Sequence, residues 1–303
     1  MSKFQSEYSI AHQSFEDFIL VIYVLVDDLY KKVAPNQVKY RPNVDKALLS
    51  DSEIITIALC GEIFGVDSEN AWYSFVKKNY RHLFPRMCDR SQFNRTRRNL
   101  LQVTNLIFTQ LAKQFVDNIF IVDSFPLEVC KFGRAHFCKV FRSDGAAYSK
   151  NPSKKQTYFG FKVHAITTSA GAVKAFEITP ANVDDRVALE DLSSVVKAGS
   201  VIIGDKGYIS EPLAEKLKVQ GQILLALKRK NAHQPYTLSL RQEIFRQRRR
   251  IETSFSQLSE QLNSQHVLAK SFCGLSLRLI TKFLAFNLCL LLAQSSHIKS
   301  LLF

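Results

Sequence analysis

Apolar residues change their spacing along the chain near residue 117. Before this point they recur at the period of a helix with one buried face. After it they form short runs that are bounded by turn residues, which is typical of strands. We therefore predict two domains: an all-α region at residues 1–117 and a mixed α/β region at residues 118–303.

Three serines of the first region are positioned to begin helices. Ser50 is followed by Glu53 and then by "IITIALCGEIF", a capping box and a helix that Gly65 would end. Ser68 and Ser91 can cap two further helices. Short helices with tight turns fit a helix-turn-helix-like module that binds DNA ends, and they fit a plain helical bundle with a solvated basic face equally well. The first turns of the last helix carry Arg95, Arg97 and Arg98.

The second region contains strands and helices in an informative order. "NIFIVD" predicts a short central strand, and "TYFGFKVHAITTS" with "AVKAFEIT" predicts a hairpin around Ala170 and Gly171. There follow a helix in "TPANVDDRVALEDLSSVVKAG" capped near Asn182 or Asp184, a strand "SVIIGD", a helix "SEPLAEKLKVQG", a strand "QILLAL" and a long helix from about Leu240. This is the order of a ribonuclease H-like fold, a mixed sheet with helices on both faces.

The charge of the chain indicates its partner. The formal net charge is +14, and so large an excess of Lys and Arg creates a positive field that attracts polyanions. Nucleic acid is the first expectation for that polyanion, and an anionic membrane surface is the second.

Neither the cysteines nor the apolar stretches change this picture. The six cysteines lack the spacing of a zinc site, so we expect free thiols in a reducing cytoplasm. The apolar run at residues 18–26 is too short to span a bilayer, which needs about 20 residues. The run at residues 275–293 includes Arg278, Lys282 and Asn287, so a buried helix is favoured over a membrane span.

Two of the predicted strands end on aspartates. Asp123 follows "IFIV" and Asp205 follows "VIIG", 205 − 123 = 82 positions later. If both strands lie centrally in one sheet, the two carboxylates can meet at one edge.

A third carboxylate is expected from the long final helix. Ile244, Ile251, Phe255, Leu258 and Leu262 form its apolar stripe. At about 100° per residue, Glu260 lies opposite the stripe, whereas Glu252 lies at the border between core and water. Glu252 also follows an arginine cluster, with Arg248 one turn before it. We chose Glu252 over Glu243 and Glu260 on these grounds.

Three convergent carboxylates without Cys or His partners suit two Mg²⁺ or Mn²⁺ ions. Such a pair can activate a water or a 3′-hydroxyl and stabilise the leaving oxygen of a phosphodiester. Each acid also has a simpler interpretation. A strand-end aspartate is usually a turn or helix cap, and Glu252 taken alone is usually an ion-pair partner of Arg248.

At these residues the sequence resembles bacterial insertion-sequence transposases of the DDE type, and most closely the insertion sequence 982 family. The similar segments are "IVDSFPLEVC", "YFGFKVHAITTSAG", "ITPANVDDR", "IGDKGYIS" and "RRRIETSFSQLSEQLN". The resemblance implies a ribonuclease H-like catalytic domain in which Asp123, Asp205 and Glu252 bind two divalent metal ions. It also implies cleavage at transposon ends, attack of the freed 3′-hydroxyl on target DNA, and a homodimer on DNA.

One part of a related signature is incomplete. The wider insertion-sequence 4-type pattern has Tyr, Arg, Glu and Lys at set spacings, where this chain has Phe245, Arg248, Glu252 and Ser259. Arg248 is thus a candidate contact to phosphate, and the two-metal core does not depend on the missing Tyr and Lys.

Further basic residues are candidate contacts to DNA, each with ordinary solvated surface charge as its alternative. His164 and Tyr208 have weaker prospects, since a satisfied sheet histidine and a packed tyrosine are the commoner outcomes. The basic candidates are Arg134, Lys154, Lys155, Lys162, Lys206, Arg248 and Arg249, besides the three arginines of the first region.

The leading hypothesis is a metal-dependent DNA transposase that acts in the cytoplasm, associated with the nucleoid and not with a membrane. A nuclease of the same fold that cuts without joining is the first alternative. A basic DNA-binding protein without catalysis is the second.

Overall fold

The computed structural model describes residues 15–151, 155–227, 236–265 and 267–294. The chain divides into two compact units. The first, the helical unit, contains residues 1–111, 260–264 and 268–303, and the second, the sheet unit, contains residues 112–259 and 265–267.

Helices account for the regular structure described in the helical unit. In chain order they are α1 (Phe15–Val33), α2 (Asn36–Lys39), α3 (Asp51–Ile63), α4 (Glu69–Asn79), α5 (Arg90–Asn99) and α6 (Leu101–Ala112), with the last helix of the described residues, Phe272–Gln294, named α10 below. An N-terminal helical region followed by a mixed α/β region confirms the predicted fold class.

Capping side chains explain where these helices begin. The Ser50 hydroxyl accepts a hydrogen bond from the Glu53 amide at 3.2 Å, and the Ser50 amide donates to the Glu53 carboxylate at 2.6 Å, as the sequence predicts. The Ser68 hydroxyl caps α4 by accepting a hydrogen bond from the Ala71 amide at 3.2 Å, without a reciprocal bond. The prediction for Ser91 is wrong, because Asp89 caps α5 two residues earlier. A break at Leu100 then divides the single predicted helix into α5 and α6.

Helix α3 forms the centre of the helical unit. Of its 13 residues, 12 are buried, and so it has no polar face. Helix α10 packs on it and is the one described helix long and apolar enough to cross a membrane. Its Lys282 is 1% exposed and pairs with the buried Glu62 of α3 at 2.5 Å. Helix α10 is thus a buried core helix of this unit, as the sequence predicts.

Six strands form a single sheet in the sheet unit. Five of them lie side by side in the order β2-β3-β1-β5-β6, and β4 also pairs with β3. The strands are β1 (Ile119–Glu128), β2 (Ala147–Asn151), β3 (Gln156–Thr168), β4 (Val173–Pro180), β5 (Val201–Gly204) and β6 (Ile223–Ala226). β1 runs antiparallel to β3 and parallel to β5, and β5 runs parallel to β6. This mixed topology, centred on β1, is that of a ribonuclease H-like fold.

β1 is longer than the sequence predicts. It does not end at Asp123 but continues to Glu128, paired with β3. Its parallel pairing with β5 stops at Ile121, so from Asp123 onward that side of β1 has no strand partner. Pro126 lacks an amide hydrogen and is tolerated here because no ladder bond to β5 is lost.

β2 is an element that the sequence did not predict. We expected a basic, turn-rich loop at residues 150–155, yet Lys150 and Asn151 pair with β3. Lys155 follows in a left-handed conformation with φ 51°. Lys154, a candidate DNA contact, lies outside the described residues.

Helices cover both faces of the sheet. Helices α7 (Asp185–Leu192) and α8 (Glu211–Val219) pack on the face that carries Phe120 and Val122. Helix α9 (Leu238–Glu260) packs on the opposite face, where its Phe255 meets Phe125 of β1 edge to face at 5.2 Å. All six cysteines lie in the described part of the chain, and none forms a disulfide.

Candidate active site

The register of the sheet puts Asp123 and Asp205 at the same level. In the parallel ladder, Ile119 pairs with Val201 and Ile121 pairs with Ile203. Asp123, within β1, and Asp205, directly after β5, each lie two residues beyond the last pair. The constant offset of the ladder therefore brings together the two aspartates that the sequence singled out.

The Asp123 carboxylate lies in a sparsely solvated, charged environment. Its side chain is 22% exposed, accepts a hydrogen bond from the Ser124 amide at 2.8 Å and lies 3.8 Å from Nη2 of Arg248. Burial raises the pKa of Asp123 to about 6, and the negative charges of Asp205 and Asp185 add to that rise against the opposing effects of Ser124 and Arg248. Asp123 thus lies where a further positive charge would be favourable.

Asp205 begins a tight turn directly after β5. Its Oδ1 accepts a hydrogen bond from the Gly207 amide at 2.7 Å, so the simple role of a turn cap is fulfilled as well. Tyr208 is 1% exposed and packs behind this turn, where a side chain on Gly204 would collide with its ring. Tyr208 is therefore buried in the core and does not offer its ring to a base. Lys206 is exposed.

Glu252 approaches the aspartates through Arg248. The Glu252 side chain is 58% exposed, and its Oε1 lies 3.6 Å from Nη2 of Arg248. The same nitrogen lies 3.8 Å from Oδ2 of Asp123. The guanidinium thus bridges the strand carboxylate and the helix carboxylate, as the simpler interpretation of Glu252 also predicts.

The donor set fits hard divalent cations only in part. Asp123 and Asp205 supply the carboxylate oxygens that Mg²⁺ and Mn²⁺ prefer. Within the described ranges, however, no three His, Cys, Asp or Glu side chains come together closely enough to hold one ion. Arg248 provides the positive charge between Asp123 and Glu252, so Glu252 would have to leave Arg248 to join a metal site.

Asp185 is a fourth acid at this edge, and the sequence argument missed it. Its Oδ1 accepts hydrogen bonds from Nζ of Lys162 at 2.9 Å and from the Ser124 hydroxyl at 3.2 Å. Asp185 is the first residue of α7, directly after the N-cap Asp184. The only sequence signal for Asp185 is the acidic pair in "NVDDR", which the sequence analysis interprets as a helix cap.

His164 belongs to the same cluster. It is fully buried, its Nε2 contacts the Thr179 hydroxyl at 2.9 Å, and its Nδ1 lies 3.4 Å from Oδ1 of Asp185. Burial lowers the pKa of His164 to about 4, although Asp185 opposes this shift. His164 is a sheet histidine without access to DNA, the commoner outcome expected for such a residue.

The other predicted DNA contacts differ in exposure. Arg97 is buried and pairs with Glu69 at 2.9 Å, which separates it from its exposed neighbours Arg95 and Arg98. Lys162 is 18% exposed and donates to Asp185 and to the carbonyl of Val183. The remaining candidates within the described chain are exposed, namely Arg134, Lys155, Lys206 and Arg249.

A known protein family matches the part of the chain that contains these residues. Residues 113–272, more than half of the chain, match the family model described as a transposase DDE domain. The chain belongs to the DDE transposase family. The matched segment includes Asp123, Asp205 and Glu252. DDE transposases act on DNA, and their domains generally use divalent metal ions.

Two further comparisons complete the picture. A cryo-EM structure of a piggyBac transposase synaptic complex with hairpin DNA is similar with a TM-score of 0.45 and 13% identity, over 93% of this chain and 78% of that chain. No curated protein matches the sequence.

Proposed function

We propose that this DDE transposase cleaves DNA at transposon ends and joins the freed 3′-hydroxyl to target DNA, in the manner of the insertion sequence 982 family. The observation that carries the proposal is that Asp123 of β1 and Asp205, directly after the neighbouring β5, lie at the same level within the matched domain. The raised pKa of Asp123 supports it, because crowded acids at a strand edge are typical of sites that bind cations.

In this proposal Asp123, Asp205 and Glu252 would hold two Mg²⁺ or Mn²⁺ ions. When bound, these ions supply the charge that activates the attacking oxygen and stabilises the leaving oxygen. Arg248 holds Glu252 beside Asp123 until DNA arrives, and its guanidinium then suits a phosphate oxygen. The Asp123 side chain is only 22% exposed, so solvent reaches it from one side of the site.

The remaining expectations belong to the same proposal. The region from residue 118 acts as the catalytic domain and the helical region before it binds transposon ends. Transposition needs two ends, so we expect a homodimer on DNA that acts at the nucleoid. Arg134, Lys154, Lys155, Lys206 and Arg249 remain proposed contacts to DNA, together with Arg95, Arg98 and Arg248. Arg97 is no longer one of them, because it is buried in its ion pair with Glu69. Lys162 would first have to leave Asp185.

The test uses the purified protein, Mn²⁺ and a labelled duplex that carries the end of the element. Cleaved and joined products are expected from the wild type. Asp123→Asn, Asp205→Asn and Glu252→Gln should each lower the cleavage rate by at least about a thousandfold, because each removes charge stabilisation of the transition state.

Measurements of DNA binding by the same variants show whether a loss of cleavage comes from lost chemistry or from lost binding. Electrophoretic mobility shifts should be nearly the same for all three variants and the wild type. Cleavage without joining would indicate a nuclease instead, and full cleavage by any of the three variants would remove that residue from the site.

A further inference from the structure

A basic groove lies entirely within the helical unit. It has a volume of about 740 Å³ and is formed by the start of α4, by α5 and by the segment that leads into α10. The cations that line it are Arg90, Arg95, Arg97, Arg98, Lys270 and Arg278, against the acids Asp67 and Glu69.

The acids of this groove are already neutralised. Glu69 pairs with Arg97 at 2.9 Å and accepts a hydrogen bond from Asn94. The Asp67 carboxylate lies 3.8 Å from Nζ of Lys282 and accepts a hydrogen bond from Asn263 at 2.8 Å, and its backbone carbonyl accepts one from Arg278. The floor of the groove is therefore close to neutral.

The rim carries the unbalanced charge. Arg90, Arg95, Arg98 and Lys270 are all exposed, and none makes a hydrogen bond or an ion pair within the chain segments that the structure describes. Arg90 and Arg98 are eight residues apart on α5, which at 1.5 Å per residue is about 12 Å. One strand of duplex DNA presents a phosphate about every 3.4 Å of its axis, so a row of this length laid along the axis spans roughly three to four phosphates.

The composition of the groove favours a phosphate backbone over bases. Among its described lining residues none is aromatic, so it has no platform on which unpaired bases could stack. We propose that this groove binds the phosphate backbone of duplex DNA, at a site separate from the acid edge of the sheet. The inference rests on the proposed function for the source of that DNA.

The experiment measures affinity for a 30-base-pair duplex by fluorescence anisotropy in EDTA, with NaCl varied between 50 and 200 mM. Arg95→Gln/Arg98→Gln should weaken binding and lower the steepness of the logarithmic salt dependence by about 2, since each phosphate contact contributes about 0.9. Lys77→Gln/Lys78→Gln is the matched control, because both lysines are exposed on α4 outside the groove. The control should keep the wild-type dependence.

Several outcomes would overturn the groove assignment. These are an unchanged salt dependence, an equal loss in the control, or a loss confined to single-stranded DNA or to phosphatidylglycerol vesicles. Arg90→Gln/Lys270→Gln repeats the test if the first variant fails to fold, which fluorescence of the single Trp72 reports. The groove proposal and the proposed function can fail separately. Loss of the groove assignment would not change the cleavage result, and absence of cleavage would still leave duplex binding measurable, because the binding assay contains EDTA and needs no cutting.

The acidic edge of the sheet carries a second, independent inference. Oδ1 of Asp185 accepts a hydrogen bond from Nζ of Lys162 at 2.9 Å, and Oδ2 of Asp185 lies near Gly207. An ideal Cβ on Gly207 would lie 3.5 Å from Oδ2 of Asp185 and 3.0 Å from Oδ1 of Asp205. Asp185 thus lies between a lysine and the carboxylate of Asp205.

We infer that Asp185 is a positioning residue that keeps the Lys162 ammonium away from the other acids. Without its negative charge, Lys162 would be free to pair with Asp205 or Asp123 and to compete with a divalent cation there. This inference rests on the proposed metal site, and it predicts that removing the lysine repairs the loss of the aspartate.

The test is titration calorimetry of the full chain with Mn²⁺ alone. Asp185→Asn should weaken Mn²⁺ binding by about tenfold, which is typical when a group that orients metal ligands is lost. Asp185→Asn/Lys162→Met should recover most of the wild-type affinity, which a merely structural role of Asp185 would not allow.

An unchanged affinity in Asp185→Asn, or a double variant no better than the single one, would overturn the positioning role. Asp185→Ser replaces Asp185→Asn if circular dichroism shows misfolding. Asp123→Asn separates the two proposals: if it binds Mn²⁺ like the wild type, the metal site itself is misassigned.

Discussion

At the scale of single residues, Asp123 combines function with a cost in stability. Burial of its carboxylate, with a smaller contribution from two neighbouring acids, raises its pKa to about 6, above the ordinary value of 3.8. The folded state therefore holds the charged form at a free-energy penalty when the pH is above 6. As the pH falls through 6 towards 4, the folded state binds the proton first and the penalty disappears.

Asp123→Asn should accordingly stabilise the protein at pH 7.5, by roughly 1–3 kcal/mol from the shift in pKa. The gain should shrink as the pH falls from 6 to 4, when Asp123 is neutral too. Thermal unfolding followed by circular dichroism in EDTA measures it. Asp184→Asn is a control of opposite sign, because Arg186 lowers the pKa of Asp184 to about 2 and its charge stabilises the fold. A gain for Asp123→Asn that is independent of pH would contradict this account.

At the scale of elements, a buried charge network joins α3 to α10. Glu62 lies 2.5 Å from Nζ of Lys282 and 3.1 Å from Nη2 of Arg278, with Nη2 of Arg97 at 3.9 Å. Glu62, Lys282 and Arg97 are nearly inaccessible to water, and the Arg278 side chain is 11% exposed. Removal of the central carboxylate would take away the ion-pair partner of Arg278 and leave Lys282 with only the more distant Asp67, at 3.8 Å, and such a loss is one of the larger penalties a substitution can cause.

Glu62→Gln should therefore destabilise the helical unit by about 3–5 kcal/mol. Urea unfolding followed by tryptophan fluorescence measures it well, since Trp72, the single tryptophan, lies in this unit and is 4% exposed. The matched control is Glu16→Gln, whose partner His82 is exposed, and it should have little effect. A loss for Glu62→Gln no larger than that of the control would show that the network contributes nothing net.

At the scale of the whole molecule, charge and chemistry are distributed unevenly. The net charge of +14 indicates a polyanionic partner but does not say which surface binds it. Arg95, Arg97 and Arg98 look alike in sequence. Arg95 and Arg98 are exposed on the groove rim, whereas Arg97 is buried in an ion pair with Glu69. Net charge is a sum over the chain, whereas a binding surface depends on which charges remain unpaired.

The sequence by itself determined the order of the elements of the sheet unit apart from β2, the capping box at Ser50 and the pair of aspartates at matching positions after two apolar runs. These features are local, because they depend on hydrophobic period, on capping within one turn and on strand pairing with a constant offset. Only the tertiary structure decided that Asp123 lies within a strand and not at its end, because β3 extends the ladder after β5 has stopped. It also decided that Asp185 joins the acid edge and that Arg97 is buried, since both depend on partners distant in sequence.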